Sequence, residues 1–485
     1  MSKFQSLEAY EAGLSAGYQL LPTRFTKLNS DEYVLSNQAG EYVLLDRPNL
    51  AKFVNHGLRP NDWAYGDLKG KHFLIDGDSA VPLDLLALKV RTKYRRLPDF
   101  TALHMFVVSL RCEHSCPYCQ VSRQSDDKTT FDMSTETADK ALDLVFRSPS
   151  PSIKIEFQGG EPLLNFDLIR HIVARAEIIN TTAQRSLQFV IATNLALITD
   201  EILDFCREHE IQISTSLDGP KDIHSKNRPR PGNDSYERAV AGIKKVRAAL
   251  GRDKVSALMT TTQISLDRVV DIIDEYIAQG FHGIFLRTLS PYGFAIKTKF
   301  YNAYGTERWL EFYKEGLDYI LRLNKQGHHF IEFFTATVLA KMITPYDTGY
   351  VDLMSPAGMG IAAVIYNYNG EVYASDESRM LAEMGDKTFV IGNVHNNSYE
   401  EIFLSDALLD PLEQSFAPSA PMCSECAFEP YCGSDPVFHH ATQGSFVGRK
   451  PTSAFCSRNM SIFRHLITLM KDPETRAIFQ RWVQR

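Results

Sequence analysis

Between residues 103 and 323 the chain alternates two kinds of apolar pattern six times over. Short β-rich runs stand at 103–110, 153–157, 187–192, 211–217, 255–261 and 284–289. Stretches with helical apolar spacing follow them at 138–146, 168–179, 201–209, 236–250, 266–278 and 309–323. Six strand–helix units in succession predict an α/β fold with a parallel sheet. Right-handed crossovers would curl that sheet into a partial (β/α)6 barrel. In barrels of this kind the reactive groups sit at the C-terminal ends of the strands.

Chemistry-bearing residues do fall at those ends. The first strand runs into Leu110-Arg111-Cys112-Glu113-His114-Ser115-Cys116-Pro117-Tyr118-Cys119-Gln120, which places three cysteines in a C-x3-C-x2-C spacing. Three thiolates on one loop are too few for a closed four-ligand zinc site, and a disulfide framework would want dispersed, even-numbered cysteines. An iron–sulfur cluster with one open position fits the spacing better. After the second strand comes Gln158-Gly159-Gly160-Glu161-Pro162. Its two glycines permit close backbone approach to a ligand, and Glu161 offers a carboxylate to a ligand cation; a plain strand-to-helix turn is the alternative. Thr193-Asn194 ends the third strand, Ser216-Leu217-Asp218-Gly219-Pro220 the fourth, and Arg228 lies twelve residues past Ser216. The sixth strand ends with Leu289.

Outside this block the chain reads differently. Residues 1–98 are a separate small unit, with two strands around a turn at 33–45, a short helix at 49–54 and a strand at 71–75. Beyond residue 330 the alternation stops. A hairpin turning at Asn369-Gly370 is predicted over 365–373, followed by Cys423, Cys426, Cys432 and Cys456. Spacing alone allows zinc or a four-thiolate iron–sulfur cluster there, with His439 and His440 as further candidate ligands. Cys206, alone on an apolar helix face, reads as core. Three domains are expected, at 1–98, 99–330 and 331–485.

Composition narrows the class. Of 485 residues 44% are apolar and 23% charged, with a formal net charge of −7 and no Lys/Arg block, so neither a nucleic-acid scaffold nor a disordered chain is indicated. Seven of the eight cysteines fall in two groups, which points to metal binding in a reducing compartment. The first eight residues carry no apolar signal region and no run of about 18 apolar residues exists, so a cytoplasmic protein without membrane contact is expected.

The three-cysteine loop, with Tyr118 just before its last member, resembles the radical S-adenosylmethionine (radical SAM) family. That resemblance implies a [4Fe–4S] cluster on Cys112, Cys116 and Cys119, its fourth iron open to S-adenosylmethionine (SAM). It further implies a SAM site made by Tyr118, Gly159, Gly160, Glu161, Ser216, Arg228 and Leu289. The C-terminal cysteines resemble a SPASM domain. In that family two auxiliary clusters are held; here the positions of three ligands of one carry Ser355, Ser375 and Pro436. Cys423, Cys426, Cys432 and Cys456 match the other, which implies one auxiliary [4Fe–4S] cluster. Asp376 stands where sulfatase-maturing relatives have a proposed proton acceptor. The 1–98 unit resembles winged-helix modules that bind precursor peptides. Leu21-Pro22-Thr23-Arg24-Phe25, residues 116–124 and residues 375–381 resemble the B-type radical SAM maturase of the His-Xaa-Ser peptide system. Such an enzyme would act on a His-Xaa-Ser repeat peptide, beside a second radical SAM maturase, with an electron donor such as flavodoxin or ferredoxin. Formylglycine formation of the anaerobic sulfatase-maturase type, or a non-catalytic metal-bearing peptide binder, are the alternative readings.

Overall fold

The computed structural model describes residues 17–484 apart from 78, 122 and 300. The first eight residues, expected to lack a signal region, lie outside the described residues. No helix among those described is long and apolar enough to cross a membrane.

The N-terminal unit is a three-stranded antiparallel sheet of β1 (Thr23–Lys27), β2 (Glu32–Asn37) and β3 (Tyr42–Asp46), followed by helix α1 (Arg47–Val54). The expected hairpin is present; β1 is an additional strand. Gly40 supplies the positive φ (84°) that the turn between β2 and β3 needs. The expected strand at 71–75 shortens to Leu74–Ile75, and helix α2 (Val81–Tyr94) packs its Leu86 against Leu21 and Ala39. Its core is a cluster of its own, built on Leu35, Val43, Leu45, Phe53 and Phe73.

The central block forms as its periodicity requires. Strands β4 (Leu103–Ser109), β5 (Ser152–Gly159), β6 (Ser186–Ala192), β7 (Gln212–Ser216) and β8 (Val255–Leu258) pair in that order, all parallel. In β5 the alternation is strict. Ile153, Ile155 and Phe157 are fully buried, while Lys154, Glu156 and Gln158 are half-buried. Each such burial contributes about 1.5–3 kcal/mol. The other face stays polar, and its residues Glu156 and Gln158 line a cavity. Helix α3 (Thr135–Val145) shows the complementary pattern. Ser134 caps it by accepting from the Thr137 N–H at 3.1 Å, and Ala138, Ala141, Leu142 and Val145 form its buried stripe. Helices α4 (Phe166–Ala183), α5 (Asp200–Glu208), α6 (Ser235–Leu250), α7 (Val269–Ala278) and α8 (Thr306–Lys325) occupy the remaining expected positions. Cys206 is buried in α5 among core side chains.

Two features depart from the sequence reading. The sixth strand is only β9 (Gly283–Ile284), paired with β10 (Ile331–Glu332) rather than with β8. The segment after it is held beside the end of β8 by the Thr261 N–H and hydroxyl, which donate to the Arg287 carbonyl at 3.3 and 2.6 Å. Helix α9 (Phe333–Ile343) follows directly on β10. The sheet also crosses the expected boundary near 330. Strand β11 (Ala363–Tyr366) pairs parallel with β4, and β12 (Glu371–Tyr373) and β13 (Val390–Asn393) extend it antiparallel to eight strands. Between β12 and β13 sits helix α10 (Asp376–Ala382). Helices α11 (Pro436–Gln443), α12 (Ala454–Leu469) and α13 (Pro473–Val483) close the chain.

Candidate active site

A cavity of about 250 Å³ opens at the C-terminal ends of β4 to β8. Cys112, Cys116 and Cys119 all line it, together with Tyr118, Gly159, Gly160, Ser216, Arg228 and Asp376. One space thus gathers nine of the residues singled out from sequence, drawn from five segments.

Backbone contacts fix the cysteine loop. The Gly160 N–H donates to the Ser109 carbonyl and the Glu161 N–H to the Arg111 carbonyl, each at 2.8 Å. The glycines are what allow this approach. A Cβ on Gly159 would stand 1.9 Å from the Ser109 oxygen, and one on Gly160 would stand 2.2 Å from the Arg111 oxygen. Their first physical role is therefore to let the end of β5 lie against the cysteine loop. Arg111 anchors the loop from outside through a bidentate pair with Asp132 at 2.7 Å.

Glu161 does not line the cavity. It is wholly buried and accepts from the Leu163 N–H (3.1 Å), the Thr193 hydroxyl (2.7 Å) and the Asn194 N–H (2.9 Å). Burial, with Glu113 nearby, pushes its carboxyl up to about 8. In this geometry Glu161, expected to offer its carboxylate to a ligand cation, joins the end of β5 to the end of β6. Asn194, so placed, donates through its side chain to Glu113 at 2.8 Å and lies 3.0 Å from His114 Nδ1. His114 also lines the cavity, a position the cysteine spacing gave no reason to single out.

Asp218 is the largest omission from the sequence reading, which assigned it no role of its own. It is fully buried and accepts from the Tyr118 hydroxyl at 2.7 Å, from Arg228 Nε and Nη2 at 2.9 and 3.1 Å, and from the Thr260 N–H at 3.0 Å. Burial alone would raise its pKa, yet the Arg228 guanidinium, His224 and these hydrogen bonds hold it below the usual carboxylate range. Asp218 thereby fixes both Tyr118 and Arg228. The available signal was a buried-strand end followed by Asp and, ten residues on, Arg. Leu289 is buried against Tyr118 and Ala295, outside the cavity.

Burial pushes the Cys116 thiol up to about 12, and the Cys112 thiol well above its ordinary range. Such thiols ionise readily only against a positive centre. No three sulfurs of this loop, or of the C-terminal set, lie within 4.8 Å of one another among the described residues. A tetrahedral zinc ion, with Zn–S near 2.3 Å, would need sulfurs about 3.8 Å apart; a cuboidal cluster holds its thiolates farther apart. Cys112, Glu113 and His114 do bring three candidate ligand atoms within 4.8 Å, but Glu113 and His114 are already bound to each other and to Asn194.

Cys423, Cys426, Cys432 and Cys456 are half-buried neighbours whose thiols are all raised by burial, Cys423 to about 11 and Cys456 to about 12. Asn459 donates to Cys432 Sγ at 3.5 Å and the Phe428 N–H to Cys426 Sγ at 3.4 Å. Buried Lys341 donates to the Cys432 carbonyl at 2.7 Å, and the positive charges of Lys341 and Lys450 act on the Cys432 thiol against its burial. The two histidines are engaged elsewhere: His439 with the Asp435 carbonyl and Ser453, His440 with Asp386. The three positions without cysteine serve local structure. Ser375 caps α10, Pro436 opens α11, and the Ser355 hydroxyl accepts from the Ala417 N–H at 2.9 Å.

Residues 106–276 match the sequence model of the Radical SAM superfamily. An uncharacterized protein of Methanocaldococcus jannaschii is 37% identical over 112 residues, 23% of this chain and 37% of its own. The serine-type anaerobic sulfatase-maturating enzyme of Bacteroides thetaiotaomicron is 29% identical over 140 residues, 28% of this chain and 33% of its own. The chain thus spans about a third of the length of these curated relatives. The solved structure of native anSMEcpe with bound AdoMet and Cp18Cys peptide superposes with a TM-score of 0.62 at 16% identity, over 77% of this chain and 99% of that one. From the first parallel strand through the helix after the fifth, the chain thus matches the Radical SAM superfamily model, and its fold is that of the solved structure it superposes on.

Proposed function

We propose that this protein cleaves SAM reductively and modifies a peptide or protein substrate, with a His-Xaa-Ser repeat peptide as the substrate the sequence resemblance favours. The single observation that carries the reading is the convergence of three cysteines, Ser216, Arg228 and Asp376 on one cavity. A bound [4Fe–4S] cluster and SAM would supply the 5′-deoxyadenosyl radical that removes a hydrogen atom from the substrate. Cys112, Cys116 and Cys119 would hold that cluster; Cys423, Cys426, Cys432 and Cys456 would hold the auxiliary one. Arg228, immobilised by Asp218, would hold a fixed positive group toward the carboxylate of bound SAM, and Ser216 would offer a hydroxyl to its ribose. The half-buried carboxylate of Asp376 lies within 3.3 Å of Arg379 Nε and lines the same cavity, where it can take the proton that leaves an oxidised substrate. Flavodoxin or ferredoxin would deliver the electron, and a second radical SAM maturase would share the pathway.

Anaerobic reconstitution followed by a SAM-cleavage assay tests this directly. Wild type is expected to form 5′-deoxyadenosine and Cys112→Ala, Cys116→Ala or Cys119→Ala none; cleavage retained in those variants would sink the reading. Mass spectrometry of a co-expressed His-Xaa-Ser peptide then reports the modification. Formylglycine formation is the second reading, favoured by the likeness to the sulfatase-maturating enzyme. It predicts an aldehyde on a Ser- or Cys-containing sulfatase peptide.

A further inference from the structure

A second, smaller cavity of about 60 Å³ lies between the segment after β9, the start of α10 and the C-terminal cysteine region. Arg287 lines it and the larger cavity alike, so the two spaces meet at that side chain. An excess of donors sets the smaller one apart. Arg287 and Arg458 both border it, and neither guanidinium makes an ion pair or a hydrogen bond among the described residues. Arg458 instead lies over the Phe455 ring, 5.4 Å from its centre. The Trp309 indole N–H and the Tyr292 hydroxyl stand on the same wall without a partner, on residues only 2% and 1% exposed. An unpaired buried polar group costs about 1–3 kcal/mol, so such groups are ordinarily satisfied by something. An indole N–H and a guanidinium can only donate, so the group that suits this wall is an acceptor.

The wall's own carboxyl groups do not fill that part. Asp435 caps α11 by accepting from the Phe438 N–H at 2.8 Å, and Asp352 accepts a long 3.3 Å bond from the Tyr350 hydroxyl. Asp376, in the larger cavity, is taken up by Arg379. Burial, with the carboxyl groups around them, pushes Glu377 up to about 8 and Asp435 up to about 7. Near neutral pH both therefore hold a proton much of the time, and Glu377 can itself donate. Two guanidinium groups then face Asp352 as the remaining charged acceptor, which leaves the wall a positive charge in excess. A neutral carbonyl would not compensate that charge. A carboxylate does, and its two oxygens accept up to about four hydrogen bonds.

We infer that this cavity binds a carboxylate carried by the peptide substrate, on an acidic side chain or at the chain end. Its oxygens would accept from Arg287, Arg458, the Trp309 N–H and the Tyr292 hydroxyl. Because Arg287 borders both cavities, a carboxylate seated there would hold the neighbouring part of the peptide at the larger one, which Asp376 also lines. The peptide as bearer of the carboxylate rests on the function proposed above; the carboxylate site itself does not.

The test uses the full reconstituted chain with SAM in excess. Sodium butyrate is titrated by calorimetry at pH 6.5 and constant ionic strength, with butyramide as the neutral isostere. Saturable butyrate binding is expected, weaker by about tenfold or more for butyramide and for the Arg458→Gln variant, whose changed side chain borders only the smaller cavity. Equal binding of butyramide to wild type, undiminished butyrate binding by Arg458→Gln, or no saturable binding would overturn the site. If Arg458→Gln fails to fold, Trp309→Phe, which keeps a ring and loses the N–H, is held to the same criterion. Two alanine-rich decapeptides then distinguish the bearers, one amidated with a central Glu, the other without Glu but with a free C-terminus. Displacement of butyrate by the first assigns the site to an acidic side chain, and by the second to a chain end; displacement by neither overturns the assignment to a peptide. SAM cleavage by the same wild-type sample is measured separately, so loss of the proposed activity and loss of the carboxylate site register as different results.

Discussion

Gly159 and Gly160 show how a single missing Cβ can place a metal-binding loop. Gly160→Ala would force the end of β5 away from the Arg111 carbonyl. The expected cost is about 3 kcal/mol of stability, as for a backbone position that tolerates no side chain. Urea unfolding measures that cost, and iron content after reconstitution should fall with it. Asp218 carries a different kind of constraint. Its depressed pKa means that its stabilising contribution is present above the unfolded carboxyl value and is lost as pH falls through the folded one. Asp218→Asn should cost about 3 kcal/mol at pH 7, because Arg228 then stays buried without its counter-charge. The gap to wild type should narrow as pH falls below the unfolded carboxyl value, about 3.9, toward the lower folded one. Unfolding curves at pH 7 and pH 3.5 check both the size and the sign; an Asp218→Asn penalty independent of pH would contradict the pairing.

Among the elements, the sixth strand is the weakest, and a carboxylate compensates for its missing ladder. Glu332, fully buried at the end of β10, accepts from the Leu286 N–H at 3.0 Å and caps α9 through the Phe334 and Thr335 N–H groups. Glu332→Ala removes four acceptor contacts at once, the Thr335 hydroxyl's included, and leaves buried donors unpaired. A loss of about 2–4 kcal/mol is expected, with faster hydrogen exchange at Leu286 than at β5. The other vulnerable joint is where β1 and β2 dock on the C-terminal cysteine loop. Arg24 pairs with Glu429 at 2.7 Å and donates to the Ser424 carbonyl at 2.6 Å, and Ser36 donates to the Ala427 carbonyl at 2.5 Å. Arg24→Ala should leave Glu429 buried and unpaired, costing about 3 kcal/mol. Limited proteolysis should then cut near residues 423–429 more readily than in wild type.

At the scale of the whole molecule, one sheet links the two groups of cysteines. Strand β4 delivers the first group, and β11, paired directly to β4, begins the hairpin that leads through α10 toward the second. Cys423→Ala should remove about four irons per chain, the content of one cluster, and iron analysis with electron paramagnetic resonance checks it; unchanged iron would contradict an auxiliary cluster. The sequence by itself determined the alternation of strands and helices, the hairpin at 365–373 and the two cysteine groups. These are properties of local periodicity and spacing, which survive without knowledge of any partner. Only the tertiary structure decided the rest. It set Glu161 as a clamp between β5 and β6, made Asp218 the anchor of Tyr118 and Arg228, and joined β11 to β4 across the boundary expected near 330. It also brought Asp352, Glu377 and Asp435 together. Each of those outcomes depends on which distant group fills the space around a side chain, and burial, which sets whether a carboxylate is a ligand, a clamp or a counter-ion, is not a property of the residue's own neighbours in sequence.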